Sequence, residues 1–330
     1  MSLKEDINFS LWCDFIERDF LENRFKEILS EEIIHGATSN PAIFESSIST
    51  SMAYKQQLDM LQANNSKTIY EELAITDIKR AATLMADLHK QNVDDGFISI
   101  EVDPLLCDDA AGTIEEGIRL HNTISSDNVM IKVPATEAGY IAMRELTSRG
   151  IHVNATLIFS PTQAIKCAQA LDEGIKESNK NIKAVISVFV SRFDRLCDSD
   201  FANKGLEKSK LGIMNATKCY HEINKFNNEN IRTLFASTGV KGNELTPSYY
   251  VDSLIYPNSV NTAPLGTIEE WVVDGVKEQS TIPSNDECDE YFETLKEKGV
   301  NMDEVYTKLL TDGLDAFKVS FKELLSKLVK

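Results

Sequence analysis

Short apolar runs alternate with longer amphipathic stretches along the whole of this 330-residue chain. The runs at 11–15, 34–39, 97–103, 129–134, 152–159, 184–190, 233–238 and 251–256 have the length and composition of buried strands. Between them, apolar positions recur at helical spacing over 19–29, 48–62, 68–92, 110–123, 137–149, 161–176 and 199–227. Eight strands with intervening helices in this length predict an α/β fold, a closed (β/α)8 TIM barrel. The surplus length is also helical in pattern, at 70–91 and 302–329, which adds packing helices to the barrel. No internal repeat and no Pro- or Gly-rich linker cuts the chain, so one domain over 1–330 is expected.

Polar residues inside these runs keep to one side. Successive strand side chains point to opposite faces, and in 97–103 Ser99, Glu101 and Asp103 share one face while Ile98, Ile100 and Val102 share the other. Asn154 and Thr156 share a face, as do Ser187, Phe189 and Ser191, and likewise Trp12 and Asp14. A single such residue is best read as a satisfied core polar group. Six runs carrying an acid, amide, hydroxyl or amine are better explained as the strand ends where barrel enzymes place reacting groups.

The amine among them is Lys132, in Val129-Met130-Ile131-Lys132-Val133-Pro134, where an apolar residue is expected. Taking an ammonium out of water favours the neutral amine, which can attack a carbonyl and form a Schiff base. The plain alternative is a strand-end lysine reaching water with its ammonium.

Charge narrows the field. With 34 basic and 52 acidic residues the chain carries −18, which argues against nucleic acid or an anionic membrane as partner. Any phosphate site must then be made locally. Six cysteines, at 13, 107, 167, 197, 219 and 288, form no Cys-x-x-Cys pair, so neither a zinc site nor a disulfide framework is expected, and a reducing cytoplasm fits best. No signal peptide or membrane helix is expected either. His35, His89, His121, His152 and His221 lack metal-ligand spacing, so no metal is implied. Gly205, Gly212 and Gly239 make no Gly-x-Gly-x-x-Gly loop, so no nucleotide cofactor is implied. The acidic run Asp286, Glu287, Asp289 and Glu290 around Cys288 reads as a solvated helix face.

Two motifs carry a resemblance. Gly36-Ala37-Thr38-Ser39-Asn40-Pro41-Ala42-Ile43-Phe44 is similar to the Thr-Ser-Asn-Pro segment of the transaldolase family, and Ile131-Lys132-Val133-Pro134-Ala135-Thr136-Glu137-Ala138-Gly139 resembles its Schiff-base lysine segment. Leu11-Trp12-Cys13-Asp14, Glu101-Val102-Asp103, Asn154 to Ser160 and Ile186 to Arg192 follow in the family's order, and the opening Leu11 to Ile16 with Asn261-Thr262-Ala263-Pro264 most resembles its longer branch.

The resemblance implies transfer of a dihydroxyacetone unit from sedoheptulose 7-phosphate or fructose 6-phosphate to glyceraldehyde 3-phosphate or erythrose 4-phosphate, the transaldolase step of the pentose phosphate pathway. Lys132 would form the imine, Asp14 would act as base, and Glu101 with Thr156 would hold the water of imine formation. Asn40 and Asn154, helped by Ser187, would hold the dihydroxyacetone hydroxyls. Arg192 would bind phosphate; where many members carry a second basic residue after the seventh strand, this chain has Ala236-Ser237-Thr238-Gly239-Val240-Lys241, leaving Lys241 and the Ser237 hydroxyl to serve. Sugar phosphates would be the partners of a monomer or homodimer. Two alternatives stand beside this: a fructose 6-phosphate aldolase, a relative that carries Tyr and Gln where this chain has Phe189 and Glu101, and a non-catalytic barrel, which would be expected to lack Lys132, Asp14 or Glu101.

Overall fold

Eight parallel strands pair in chain order, β1 with β8 included, in a computed structural model that describes residues 3–328. They are β1 Ser10–Cys13, β2 Gly36–Thr38, β3 Phe97–Glu101, β4 Val129–Pro134, β5 His152–Ile158, β6 Ala184–Phe189, β7 Ile231–Ala236 and β8 Ser259–Ala263. The (β/α)8 TIM barrel with additional helices is thus the fold observed.

Strand parity decides which residues look inward. Ile98, Ile100, Ile131, Val133, Val153, Ala155, Ile186 and Val188 belong to one apolar core with Leu120, Leu146, Ala168 and Leu171 of the surrounding helices. Their alternates turn into the barrel, where Trp12, Phe97, Met130, Val185, Leu234 and Val260 form a separate apolar layer. Trp12 lies over Gly36 in register; a Cβ there would stand 2.6 Å from the indole, so only glycine fits. Two residues further along their strands, Asp14, Ser99, Lys132, Ser187 and Thr262 take the next inward positions, toward the carboxyl ends. Asp103 does not stay with them. β3 ends at Glu101, and Asp103 caps the turn Pro104–Leu106 and pairs with Lys67 at 2.7 Å.

The eighth strand differs from expectation. Residues 251–256 form the end of a short helix, Tyr249–Ser253, and a buried turn, while β8 is Ser259–Ala263. The apolar run misleads because Val251, Leu254, Ile255 and Tyr256 are enclosed on all sides, with Tyr256 Oη 2.9 Å from the Thr217 hydroxyl. The true strand is masked by its polar Ser259, Asn261 and Thr262.

Several helices also break. Residues 19–29 divide at Asn23 into Arg18–Glu22 and Arg24–Ser30, and 199–227 divide into Ser191–Lys204 and Leu211–Asn224, the first stopped by Gly205 at φ +65°. The stretch 48–62 belongs to Pro41–Thr50 and Lys55–Leu61, joined by a 3-10 turn. Leu265–Asp274 and Asn285–Glu297 are further helices; the latter leaves its acidic run exposed around buried Cys288, as read. The C-terminal helix Met302–Leu328 packs on Pro41–Thr50 and Ser66–Gln91 and brings Phe317 over the carboxyl mouth.

The opposite end is closed by charge. Arg232 of β7, 4% exposed, donates to the Asn8 carbonyl at 2.6 Å, the Ser259 carbonyl at 2.7 Å and the Ser10 hydroxyl at 2.9 Å, and stands 3.8 Å from Asp95. Asp95 also pairs with Lys4 at 2.7 Å. His89, His121 and His152 gather nearby with Lys180 and Lys183 around a cavity of about 280 Å³. No group of three metal-ligating side chains is present among the described residues, and none of their helices is long and apolar enough to cross a membrane. All six cysteines are free and buried.

Candidate active site

The carboxyl mouth opens on a cavity of about 530 Å³ lined by Asp14, Thr38, Asn40, Lys132, Thr156, Ser187, Phe189, Arg192, Ser237 and Lys241, with Arg195, Thr262 and Phe317 among others. Nine of the eleven residues singled out from the sequence therefore meet in one space. Glu101 and Asn154 are outside its lining but touch residues of it, Glu101 beside Lys132 and Asn154 in hydrogen-bond contact with the Ser187 hydroxyl.

Lys132 is only 5% exposed. Its Nζ donates to the Ser39 carbonyl at 3.1 Å, stands 3.6 Å from Glu101 Oε2, and faces the Phe317 ring at 5.8 Å. Register accounts for the Glu101 contact, since Glu101 and Lys132 are paired positions of β3 and β4. Burial pushes the Glu101 carboxyl up to about 7, against the pull of Lys132. Glu101 Oε2 and Thr156 Oγ1 are both buried without a hydrogen-bond partner among the described residues. Polar atoms left in that condition are suited to holding a small polar molecule.

Asp14 is held from two sides. Its backbone N–H donates to the Ala263 carbonyl at 2.9 Å, and its Oδ1 accepts from the Thr38 hydroxyl at 2.6 Å. Burial raises its carboxyl pKa, while Lys132 and Thr38 act in the opposite direction. The adjacent residues Thr38 and Ser39 thus reach the acid with a side chain and the amine with a carbonyl. The next residue, Asn40, spends its Oδ1 on the Ile43 N–H as a helix cap at 3.0 Å, with Pro41 opening the helix. This gives the Thr-Ser-Asn-Pro order a physical reason.

Asn154 of β5 is fully buried beside Lys132, its register partner on β4, its Nδ2 donating to Ser99 Oγ at 3.0 Å and its Oδ1 accepting from Ser187 Oγ at 2.7 Å. Both ends of its amide are used inside the protein, and it holds Ser187, which does line the cavity. Past Thr156 the strand bulges: Leu157 takes φ +60° and the β5–β6 register shifts. Ser237 after β7 is likewise left-handed, at φ +56°. Backbone strain of this kind gathers at functional sites.

The rim supplies cations. Arg192 stacks on Phe189 at 5.0 Å, and Arg195 follows one helical turn later, so both side chains reach the same cavity. Neither makes an ion pair or hydrogen bond within the described residues. Burial holds both guanidinium pKa values down, and Arg195 adds to the effect on Arg192. Two unpaired arginines in so acidic a chain mark a place for an anion. Arg195 was not among the expected residues; its i+3 spacing from Arg192 was the available signal. Lys241 lines the same cavity but is exposed.

Residues 11–328 match the family described as Transaldolase/Fructose-6-phosphate aldolase. Among curated proteins, the chain is 46% identical over 318 residues to a transaldolase of Helicobacter pylori, covering 96% of this chain and 98% of that one. It is also 46% identical over 335 residues to a transaldolase of Campylobacter jejuni, covering 97% and 99%.

Proposed function

This chain belongs to the transaldolase/fructose-6-phosphate aldolase family and is an enzyme of the transaldolase type, and from that premise we propose that it moves a dihydroxyacetone unit between sugar phosphates through a Schiff base on Lys132. The observation that carries the reading is one buried amine placed 3.6 Å from a carboxylate, in the cavity that Asp14 also lines.

In this account the neutral Lys132 amine adds to the C2 carbonyl of fructose 6-phosphate or sedoheptulose 7-phosphate. Glu101 gives a proton to the carbinolamine hydroxyl, which leaves as water near Thr156, and the protonated imine remains. Asp14 takes the C4 hydroxyl proton; the C4–O pair becomes a carbonyl, the C3–C4 bond breaks, and its electrons neutralise the iminium as an enamine. The aldose phosphate departs. Addition of glyceraldehyde 3-phosphate or erythrose 4-phosphate reverses these steps, with Asp14 returning its proton and water hydrolysing the product imine.

Ser187, steadied by Asn154, and the amide nitrogen of Asn40 hold the dihydroxyacetone hydroxyls while the enamine waits. Phe189 and Phe317 wall it in. Arg192 and Arg195 take the phosphate, with Ser237 as a hydroxyl donor and Lys241 at the outer edge. One domain carries all of this chemistry, with no metal or cofactor required. A pentose-phosphate enzyme with six free cysteines belongs in a reducing cytoplasm, as a monomer or homodimer.

The test is to supply fructose 6-phosphate with and without erythrose 4-phosphate. Sedoheptulose 7-phosphate should form with the acceptor, and almost no free dihydroxyacetone without it; steady release of dihydroxyacetone would instead identify an aldolase.

A further inference from the structure

Asp14 must remain ionised in a buried site in order to take a proton, yet the side chain that steadies it, Thr38, has only one proton to give. The Thr38 hydroxyl lies 2.6 Å from Asp14 Oδ1 and 2.8 Å from the hydroxyl of Thr262 in β8. A carboxylate can only accept, so the Thr38 proton points at Asp14. Thr38 Oγ1 is then an acceptor toward Thr262, and the Thr262 hydroxyl must donate. The backbone of Thr262 is held in place by Thr238, whose one hydroxyl proton is shared between the Thr262 carbonyl at 3.0 Å and Asn261 Oδ1 at 2.8 Å. The neighbouring carbonyl, Ala263 O, receives the Asp14 N–H at 2.9 Å. One end of β8 thus fixes both the backbone and, through Thr38, the carboxylate of the base.

We propose that Thr262 is a positioning residue for the transfer reaction, acting on Asp14 through a hydroxyl chain, Thr262 to Thr38 to Asp14, polarised toward the carboxylate. Donation by Thr262 makes the Thr38 hydroxyl a stronger donor, because hydrogen bonds in a chain polarise one another. The chain therefore favours the ionised acid against its burial, and leaves Oδ2 for the substrate hydroxyl. When Asp14 takes the C4 proton its charge is lost and the pull along the chain slackens; when the proton returns to the new product, the chain tightens again. No atom of Thr38 or Thr262 is consumed. This inference rests on Asp14 being the base.

The test is the acid limb of kcat/KM against pH, measured in the whole protein for Thr262→Val, Thr262→Ser and Thr38→Val, with Asp14→Asn alongside. Thr38→Val should move the limb to higher pH by about one unit, the scale of a lost hydrogen bond to a charged group. Thr262→Val should move it the same way by about half a unit, through loss of the polarising donation, and Thr262→Ser should restore it. Thr262→Ala serves as a second probe if valine is not accepted at this buried position. A limb that stays put in both Thr262→Val and Thr262→Ala, with Asp14→Asn inactive, overturns the chain and leaves the base assignment standing. Turnover retained in Asp14→Asn overturns the base assignment and the chain with it.

Discussion

Lys132 Nζ and Glu101 Oε2 stand 3.6 Å apart, beyond a direct hydrogen bond, and the amine instead donates to the Ser39 carbonyl. The acid is therefore close enough to exchange a proton with the amine through one small molecule, without being locked to it. Its carboxyl is pushed up to about 7, so protonated and ionised forms are both present at neutral pH. Glu101→Gln should lower kcat by about 10²-fold, the usual scale of general acid–base catalysis, and remove the inflection near neutral pH. The check is kcat measured across the neutral range; an unchanged profile would take Glu101 out of the proton transfers.

The two rim arginines should separate binding from chemistry. Arg192→Ala should raise KM for fructose 6-phosphate by about 10- to 100-fold, as expected for loss of a charge-assisted contact. Arg195→Ala should cost about tenfold or less, being the more exposed, and Lys241→Ala less again. With fructose 6-phosphate held saturating, use of unphosphorylated glyceraldehyde as acceptor should be nearly unaffected by all three. Equal losses with both kinds of acceptor would argue against a phosphate role.

His152 connects stability to pH. Burial and the neighbouring His89 push its imidazole down from 6.5 to about 4. The unfolded chain therefore binds a proton between these values that the folded chain does not. Stability from this group is complete above about 6.5 and is lost as pH falls toward 4, by about 3 kcal/mol at most. Urea unfolding of the protein and of His152→Gln at several pH values should show a shallower acid decline in the variant.

Arg232 has no part in the chemistry, and its removal should show only in stability. Arg232→Met leaves the Asn8 and Ser259 carbonyls without their buried donor, while Asp95 keeps Lys4, and should cost about 2–4 kcal/mol, with the kcat of the folded fraction unchanged. Denaturant midpoints and active-site-titrated rates check the two halves separately.

How far the sequence reads the molecule depends on the range of the signal. Strand parity is local, so the shared polar faces of β3, β5 and β6 were legible from spacing, while the meeting of Lys132, Thr156, Ser187 and Phe189 in one cavity was expected from the barrel that the family resemblance implied. The end of a strand is not a parity feature, which is why Asp103 was placed with Glu101 although the chain turns away after that residue. β8 was hidden by chemistry: inward Thr262 meets Thr38 of β2, and Asn261 accepts from Thr238 beyond β7, partners that no short window contains. The same long separation conceals the roof, since only the folded chain brings Phe317 to Lys132. Arg195 was legible in principle from its helical spacing, and the second rim cation was instead sought after the seventh strand, where the family resemblance led.

The central claim is a covalent bond to one named amine. The protein should be incubated with fructose 6-phosphate, reduced with borohydride and digested for peptide mass spectrometry. The account predicts a dihydroxyacetone-sized adduct on Lys132 that is absent from Lys132→Met. An unmodified Lys132, under conditions that label a known transaldolase, would contradict it.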